Sequence, residues 1–258
     1  MSDIAVTALS ITPIKAMRLR PVDVIELDEY GARGDRCFYV VDERGRMVNG
    51  KQFPQLQTIT ADHDPVAGEL TLSFPDGHTA QGRVEYGEPV TTRFYRRNDE
   101  ATELRGPWSS ELSAFIGHPL RIVAARTGVD RGRRGGASIV SRASVGRLAQ
   151  AAARESVDAR RFRMLIEIEG VAAHAEDRWV GRRVRVGESL LTMHGHVGRC
   201  LITTRDPDTA ETDLPTLDVL RSYRGGETST EPLPFGIYGE VLEGGVVRLG
   251  DPVSLDGG

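Results

Sequence analysis

Hydrophobic and polar residues alternate in short runs through the first hundred residues, which is the pattern of half-buried β-strands. Turn-forming residues separate the runs, as in Asp42-Glu43-Arg44-Gly45 and Pro75-Asp76-Gly77. The pattern predicts a β-rich N-terminal half. The predicted strands cover residues 4–11, 22–27, 37–42, 56–61, 69–74 and 90–94.

Helical spacing of apolar residues replaces this alternation at three places. Residues 108–116 predict a short helix that begins at Ser109 or Ser110 and ends before Gly117. Two further helices are predicted, one that begins at Ser141 or Ser144 and one over 217–223. Further strands are predicted over 164–168, 183–186 and 190–193, and the tail predicts a closing hairpin that breaks at Gly244-Gly245.

The stretch 126–137 holds four glycines and four arginines without periodicity, which indicates a mobile loop near a domain boundary. It is either a solvated linker or a lid over an anionic ligand. We expect an N-terminal domain over 1–122 and a second domain over 123–258. The predicted fold class is mainly β, with two closely packed β-barrel-like domains and a few helices.

Composition excludes several classes of protein. The 258 residues carry a formal net charge of −4, which disfavours nucleic-acid binding, and no apolar run approaches the ~20 residues of a membrane span. The start of the chain lacks a basic segment followed by an apolar one, so we expect a cytoplasmic protein. Two cysteines are too few for a thiolate-held iron–sulfur cluster, and no dinucleotide or P-loop fingerprint occurs. Any redox chemistry therefore needs an external electron donor.

The two cysteines differ in context. Cys37 alternates with Tyr39 and Val41, which predicts a side chain facing a sheet interior. Cys200 follows Arg199, and a neighbouring cation favours the thiolate that binds metals or attacks substrates. Taken alone, a small buried hydrophobic residue is the commoner role for either cysteine. His194 and His196 precede Cys200 at a spacing that suits zinc, but no fourth ligand completes the set nearby.

Several charged residues are candidates for binding or proton transfer. Singly, each is typical of a solvated surface. Together, the cations are able to hold a small anion at a domain interface, where arginine forks suit phosphate oxygens. The cations are Lys15, Arg36, Lys51, Arg160, Arg161 and Arg163, and the acidic candidates are Glu176, Asp177 and Asp206.

Motifs in a fixed order through both halves resemble one known family. The second half has segments 199–209, 217–224, 235–238 and 250–253, and the first half has 13–15, Gly34-Asp35-Arg36, 40–42 and 52–56. They resemble the MOSC-domain proteins with their N-terminal β-barrel domain, and in particular the mitochondrial amidoxime-reducing component and its bacterial relatives. The resemblance covers nearly the whole chain.

The resemblance implies a molybdenum cofactor, Mo-molybdopterin, bound between the two domains. It implies that Cys200 ligates the metal, that Lys15 and Arg36 hold the cofactor phosphate, and that Arg163 contacts the pterin. Ser141 matches a hydroxylic position that contributes a hydrogen bond. Pyridoxal phosphate is not expected.

The implied activity is the reduction of amidoximes, N-hydroxy bases and hydroxylamines, with Asp206 as a candidate catalytic proton donor beside the pair Glu176–Asp177. Electrons would come from a flavin reductase, ferredoxin or cytochrome type of partner. No nucleic-acid or membrane partner is expected.

The chain departs from the family at three places. Met164-Leu165 stands where relatives have Pro-Asn, Ala16 where they often have Ser, and Lys51 where many have Arg. The first departure replaces a polar group near the cofactor by apolar side chains. Two alternatives therefore stay open: a Cys200-dependent sulfur-transfer or carbon–sulfur bond enzyme, and a carrier that binds the cofactor without catalysis.

Overall fold

The computed structural model describes residues 3–95, 97–125 and 132–256. Within these ranges the chain is mainly β, as predicted, with eighteen strands and three α-helices. The helices are α1 (Trp108–Ile116), α2 (Arg142–Ala151) and α3 (Thr216–Arg224). The strands are β1 (Ala5–Ile11), β2 (Arg20–Val22), β3 (Val24–Asp28), β4 (Gly31–Ala32), β5 (Phe38–Asp42), β6 (Thr60–Asp64), β7 (Glu69–Ser73), β8 (Thr79–Arg83), β9 (Glu85–Phe94), β10 (Arg97–Arg105), β11 (Leu120–Ala125), β12 (Ala137–Ser141), β13 (Ile166–Glu169), β14 (Arg183–Val186), β15 (Ser189–Gly198), β16 (Pro234–Glu243), β17 (Gly245–Arg248) and β18 (Val253–Leu255).

The largest sheet joins both ends of the chain. Its eight strands run in the order β18-β14-β15-β16-β12-β13-β1-β2. The N-terminal strand β1 pairs antiparallel with β13, with Leu9 opposite Ile166. A second link comes from β3, which pairs with β17. The first thirty residues therefore complete sheets of the C-terminal half, and a buried apolar cluster that includes Val6, Leu9, Ile166 and Ile168 fills the space beneath.

The N-terminal half has its own core. A four-stranded sheet in the order β5-β11-β10-β9 packs with the three-stranded sheet β6-β7-β8 and helix α1. Trp108 is fully buried at the start of α1, and its Nε1 donates to the carbonyl oxygen of Leu70 at 2.8 Å. This bond satisfies the indole donor inside an apolar cluster, which fixes the helix against the sheet.

Most predicted elements are present. Helix α1 covers 108–116 and ends at Gly117 in the left-handed conformation (φ 74°), α2 begins after Ser141 as its N-cap, and α3 extends the predicted 217–223 by one residue at each end. The described ranges contain no helix long and apolar enough to cross a membrane. Residues 126–131 of the predicted mobile loop lie outside the described residues, whereas Gly132–Gly135 form a 3₁₀ turn.

Four local predictions were wrong. Residues 56–61 are not one strand, because Pro54–Thr58 form a 3₁₀ helix that Pro54 favours at its first position. The predicted strand 22–27 is interrupted at Asp23. Pro107, not Ser109 or Ser110, is the N-cap of α1. The tail forms no hairpin, since β17 leaves β16 to pair with β3.

Candidate functional site

A cavity of about 570 Å³ lies between the two halves of the chain. It brings together five of the residues singled out from the sequence, which come from segments far apart in the chain. Those residues are Lys15, Arg36, Lys51, Arg163 and Cys200. With Arg199, which also lines the cavity, the arrangement places one thiol and five cations around a common space.

Cys200 lies just beyond the end of β15, where the long strand gives way to a 3₁₀ turn over Leu201–Thr204. Its carbonyl oxygen accepts hydrogen bonds from the main-chain N–H and the Oγ1 of Thr203, both at 3.0 Å. The thiol is half-buried, and no disulfide involves it. Two bonds to one carbonyl hold the backbone of the turn and so fix the direction from which the thiol enters the cavity.

Arg199 anchors the residue before the thiol. Its guanidinium donates to the carbonyl oxygen of Phe162 at 2.7 Å and to that of Phe235 at 2.9 Å, and it lies over both aromatic rings. The two rings stack with centroids 4.2 Å apart. The Arg199 guanidinium therefore bonds two main-chain carbonyl groups and packs over two aromatic rings. These contacts make Arg199 a positioning residue for the Cys200 turn.

Cys37 occupies a different environment. It precedes β5, whose residues are buried on both faces, and it packs half-buried against the core cluster that contains Phe38 and Val40. The prediction grouped it with Tyr39 and Val41, which belong to a separate cluster. Burial raises the pKa of the Cys37 thiol, so the neutral form is favoured there. Cys37 does not line the cavity.

Arg36 and Arg163 join the two sides of the cavity. Nη2 of Arg36 donates to the carbonyl oxygen of Arg163 at 3.0 Å, and its Nη1 pairs with Asp35. Nη2 of Arg163 donates in turn to the carbonyl oxygen of Met17 at 2.6 Å. The backbone of each half is therefore held by an arginine from the other half.

Backbone conformations that side chains rarely adopt concentrate at this cavity. Eight non-glycine residues in the described ranges have positive φ, and four of them line it. Those four are Ala16, Arg36, Tyr95 and Arg163, with φ between 50° and 76°. Left-handed residues of this kind cost about 1 kcal/mol or more each and cluster at ligand sites, where surrounding structure holds them.

Two glycines allow the walls of the cavity to meet. Gly31 in β4 (φ 121°) lies so close to Gly136 that a Cβ at Gly31 would stand 2.6 Å from the carbonyl oxygen of Gly136. Both residues line the cavity. The contact joins the N-terminal half to the segment that follows residues 126–131, and only glycine permits it.

Other predicted residues lie outside the cavity lining. Ser141 is fully buried and caps α2, with its Oγ accepting from the N–H of Ser144 at 3.1 Å. Oε1 of Glu176 accepts from the Ser141 N–H at 3.0 Å and from the Ser144 Oγ at 2.6 Å. Burial raises the pKa of Glu176, which favours its neutral form. Asp177 forms an ion pair with Arg224 at 2.5 Å. These residues hold α2 and α3 against the sheet.

Asp206, Arg160 and Arg161 also lie outside the cavity lining and form hydrogen bonds or ion pairs elsewhere. Oδ1 of Asp206 accepts from the N–H groups of Asp208 and Thr209, and the bond from Thr209 is the main reason that the pKa of Asp206 is lowered. Arg160 pairs with Asp158 and Asp208. Arg161 is buried against carbonyl oxygens and Asp213. A carboxylate held ionised by these bonds is a poor proton donor.

The cavity also contains residues that the sequence reasoning missed. Glu231 lines it, and its Oε2 accepts from the N–H of Gly198, two residues before Cys200. Ser138, Tyr30, Tyr95 and Tyr238 line it as well. Glu231 lies in a loop of mixed polar residues without a motif, so nothing in the local pattern distinguished it. The left-handed Tyr95, in the turn between β9 and β10, was equally unmarked.

The histidines near Cys200 do not form a zinc site with it. No group of three or more His, Cys, Asp or Glu side chains suitable for a metal ion occurs in the residues that the structure describes. Nε2 of His194 contacts Glu240 at 3.2 Å, and Nδ1 of His196 faces the Thr230 main chain.

Two family models match this chain in succession. The MOSC N-terminal beta barrel domain matches residues 3–117, and the MOSC domain matches residues 128–254. The chain therefore belongs to the MOSC-domain proteins, as its motifs indicated. The boundary proposed near residue 122 lies between the two matched ranges, while β1 and β3 cross it by pairing with strands of the C-terminal half.

Curated relatives belong to one group within this family. The chain is 29% identical to the mouse mitochondrial amidoxime-reducing component 1 over 98% of its own length and 82% of that protein. It is 28% identical to the human protein of the same name, over 98% of this chain and 83% of that one. Among solved structures, the YUAD protein from Bacillus subtilis is similar at 13% identity, with a TM-score of 0.47 over 98% of this chain and 94% of that one.

Proposed function

We propose that this protein is a molybdenum-cofactor-dependent oxidoreductase that reduces N-hydroxylated substrates such as amidoximes, N-hydroxy bases and hydroxylamines. The observation that carries the proposal is the single cavity that gathers the Cys200 thiol with Lys15, Arg36, Lys51 and Arg163. The family membership and the amidoxime-reducing relatives support it. We expect a cytoplasmic location and an external electron donor.

The chemistry of the donor set fits the cofactor. A thiolate is a soft ligand suited to molybdenum, and a phosphate monoester of about −2 charge requires several cations and N–H donors. Lys15, Arg36 and Lys51 supply such cations from the N-terminal half, while Arg163 and Cys200 supply the facing wall. Gly31 and Gly136 bring main-chain atoms to the same wall without side-chain bulk.

Each of these residues has a distinct task in the proposed reaction. When bound, the cofactor supplies the two-electron chemistry that cleaves an N–O bond, with two protons consumed and water released. Cys200 would hold the metal, and Arg199 positions that thiol through its bonds to Phe162 and Phe235. Arg36 would bind phosphate while it tethers the Arg163 backbone.

Proton handling belongs to a residue inside the cavity. Of the carboxyl groups that line the cavity, Asp35 forms an ion pair with Arg36, whereas Glu231 lies beside Gly198. Asp206 lies outside the lining, and the bond from the Thr209 N–H lowers its pKa, which favours the ionised form. We assign the transfer of protons to substrate to Glu231. The apolar side chains of Met164 and Leu165 line the same space and restrict its water.

Metal analysis of matched cysteine variants tests the proposal. Wild-type protein from a host that makes the cofactor should contain molybdenum and pterin near one per chain and reduce a benzamidoxime with a reduced viologen dye as donor. Cys200→Ser should lose both metal and turnover. Cys37→Ser is the control, because Cys37 lies outside the cavity, and it should retain both.

Other results would overturn the proposal. Molybdenum and full turnover in Cys200→Ser would remove the thiolate from the mechanism. Molybdenum absent from every variant, with a mass increase of about one sulfur atom on Cys200, would establish persulfide chemistry instead. Bound cofactor that transfers to an apo-enzyme but supports no reduction would establish a carrier.

A further inference from the structure

A second groove adjoins the cavity on the N-terminal half. Seven residues line it: Arg46, Met47, Asn49, Lys51, Gln52, Arg93 and Tyr95. Three of them, Asn49, Lys51 and Tyr95, also line the cavity between the two halves. The two spaces therefore meet at these side chains. A ligand whose reacting part lies in the cavity has room to extend into the groove.

The groove concentrates positive charge in an acidic chain. Its lining has three cations and no carboxylate, although the whole chain carries a net charge of −4. About half of the arginines in the described residues form an ion pair with a carboxylate, and Arg97, in the strand that follows Arg93, pairs with Asp99. Within the described part of the chain, no carboxylate forms an ion pair with Arg46, Lys51 or Arg93.

The backbone fixes two of these cations side by side. The N–H of Arg93 donates to the carbonyl oxygen of Gly45 at 2.8 Å, and the N–H of Met47 donates to that of Arg93 at 2.9 Å. Arg46 and Arg93 are thereby bridge partners on adjacent segments. Like charges on neighbouring strands are destabilising, so the arrangement costs free energy that a bound anion would recover.

Two side-chain amides add donors to the same surface. The carbonyl oxygen of Asn49 accepts from the N–H of Lys51 at 2.9 Å, and that of Gln52 accepts from the N–H of Asn49 at 3.0 Å. The NH₂ groups are the parts of these amides left to bind a ligand. The groove thus offers N–H donors and cations, which is the complement of an anion with several oxygens.

We propose that this groove is a phosphate subsite for a ligand whose reacting part occupies the adjoining cavity. The inference rests on the proposed function and narrows its substrate class to phosphorylated N-hydroxy compounds. Arginine forks bind phosphate oxygens in pairs, and Lys51 adds a third positive charge at the junction with the cavity. The same phosphate chemistry would also suit a nucleotide extension of the cofactor, and the experiments separate the two sources.

Binding of inorganic pyrophosphate to the purified protein tests the subsite without any turnover. Calorimetry should show binding to wild type, and the double variant Arg46→Gln/Arg93→Gln should weaken it at least about tenfold, since two charge-assisted contacts are lost. Arg44→Gln is the matched control: Arg44 is exposed in the same turn but does not line the groove. Wild-type protein that binds no pyrophosphate, or a double variant that binds it as tightly, would overturn the proposal.

Turnover and extraction then identify the source of the phosphate. Wild type should prefer an N-hydroxylated nucleoside 5′-monophosphate over the nucleoside, and the double variant should lower this ratio of kcat/KM about tenfold or more. A nucleotide in the cofactor extracted from the protein would assign the groove to the cofactor instead and overturn the substrate class. If the protein binds pyrophosphate but contains no molybdenum, the proposed reaction is rejected and the phosphate subsite stands. If the protein reduces N-hydroxy substrates without preferring phosphorylated ones, the phosphate subsite is rejected and the proposed reaction stands.

Discussion

Arg36 donates a hydrogen bond from Nη2 to the main-chain carbonyl oxygen of Arg163 at 3.0 Å. The two residues come from opposite halves of the chain, both have positive φ, and both line the cavity. The guanidinium also pairs with Asp35. This side chain therefore helps to hold the two walls together while it contributes positive charge to the space between them.

Arg36→Lys should separate these two tasks. Lysine keeps the charge but is a point donor that cannot bridge Asp35 and the Arg163 carbonyl together. We expect the free energy of unfolding to fall by about 1–2 kcal/mol and molybdenum content to fall with it. Urea unfolding and metal analysis measure both. Arg33→Lys is the control, since Arg33 pairs at the surface with Glu26, and its effect should stay within about 0.5 kcal/mol.

Gly31→Ala should open the wall between the two halves. The added Cβ would stand 2.6 Å from the Gly136 carbonyl oxygen, so the backbones must part. Gly34→Ala has the same kind of positive φ (80°) but nothing within 4 Å of the new methyl group. For Gly34→Ala we expect the free energy of unfolding to fall by about 1–2 kcal/mol, from the backbone conformation alone. For Gly31→Ala we expect a clearly larger decrease, because the steric clash adds to it. Equal unfolding midpoints would contradict the close approach.

Leu165→Asn would introduce the polar group that the family resemblance leads us to expect at this position, and we expect the substitution to destabilise the fold. Leu165 is 3% exposed in the core cluster beneath the large sheet. Burial of an amide there, with lost apolar contact, should lower the free energy of unfolding by about 3 kcal/mol. Leu165→Met conserves volume and should cost less than about 1.5 kcal/mol. A fully stable Asn variant would show that the cavity supplies a partner for its amide.

Glu176→Gln should gain stability relative to wild type as pH rises. Burial raises the pKa of Glu176 in the folded protein above its ordinary value of about 4.5, so the native state keeps a proton that the unfolded state releases. Wild-type stability therefore decreases as pH rises from 4.5 toward the folded pKa. Glutamine keeps an Oε1 acceptor for Ser141 and Ser144 and does not titrate. Thermal unfolding at pH 5 and pH 8 measures the difference, and a gap independent of pH would contradict the assignment.

Much of the secondary structure could be predicted from local sequence patterns. The helix over 108–116 was predictable because its apolar spacing and the following Gly117 both depend on neighbours within one turn. Strand 183–186 was predictable because its charged and apolar residues alternate, which is also a pattern of near neighbours. The hairpin prediction at Gly244-Gly245 failed because two adjacent strands with a glycine break have the same local pattern whether they pair with each other or with β3, about 220 residues earlier.

The site divides in the same way. Residue types and motif order by themselves determined that the protein is mainly β and that it belongs to this family, and through that resemblance they predicted Lys15, Arg36, Ser141, Arg163 and Cys200 as cofactor-binding residues. Only the tertiary structure decided that four of these residues share one cavity with Lys51 and Glu231, and that Ser141 and Asp206 lie outside its lining. The physical reason is the distance along the chain over which each interaction acts. Alternation and capping depend on near neighbours, whereas the pairing of β1 with β13 and the hydrogen bond from Arg36 to Arg163 join residues far apart in the sequence.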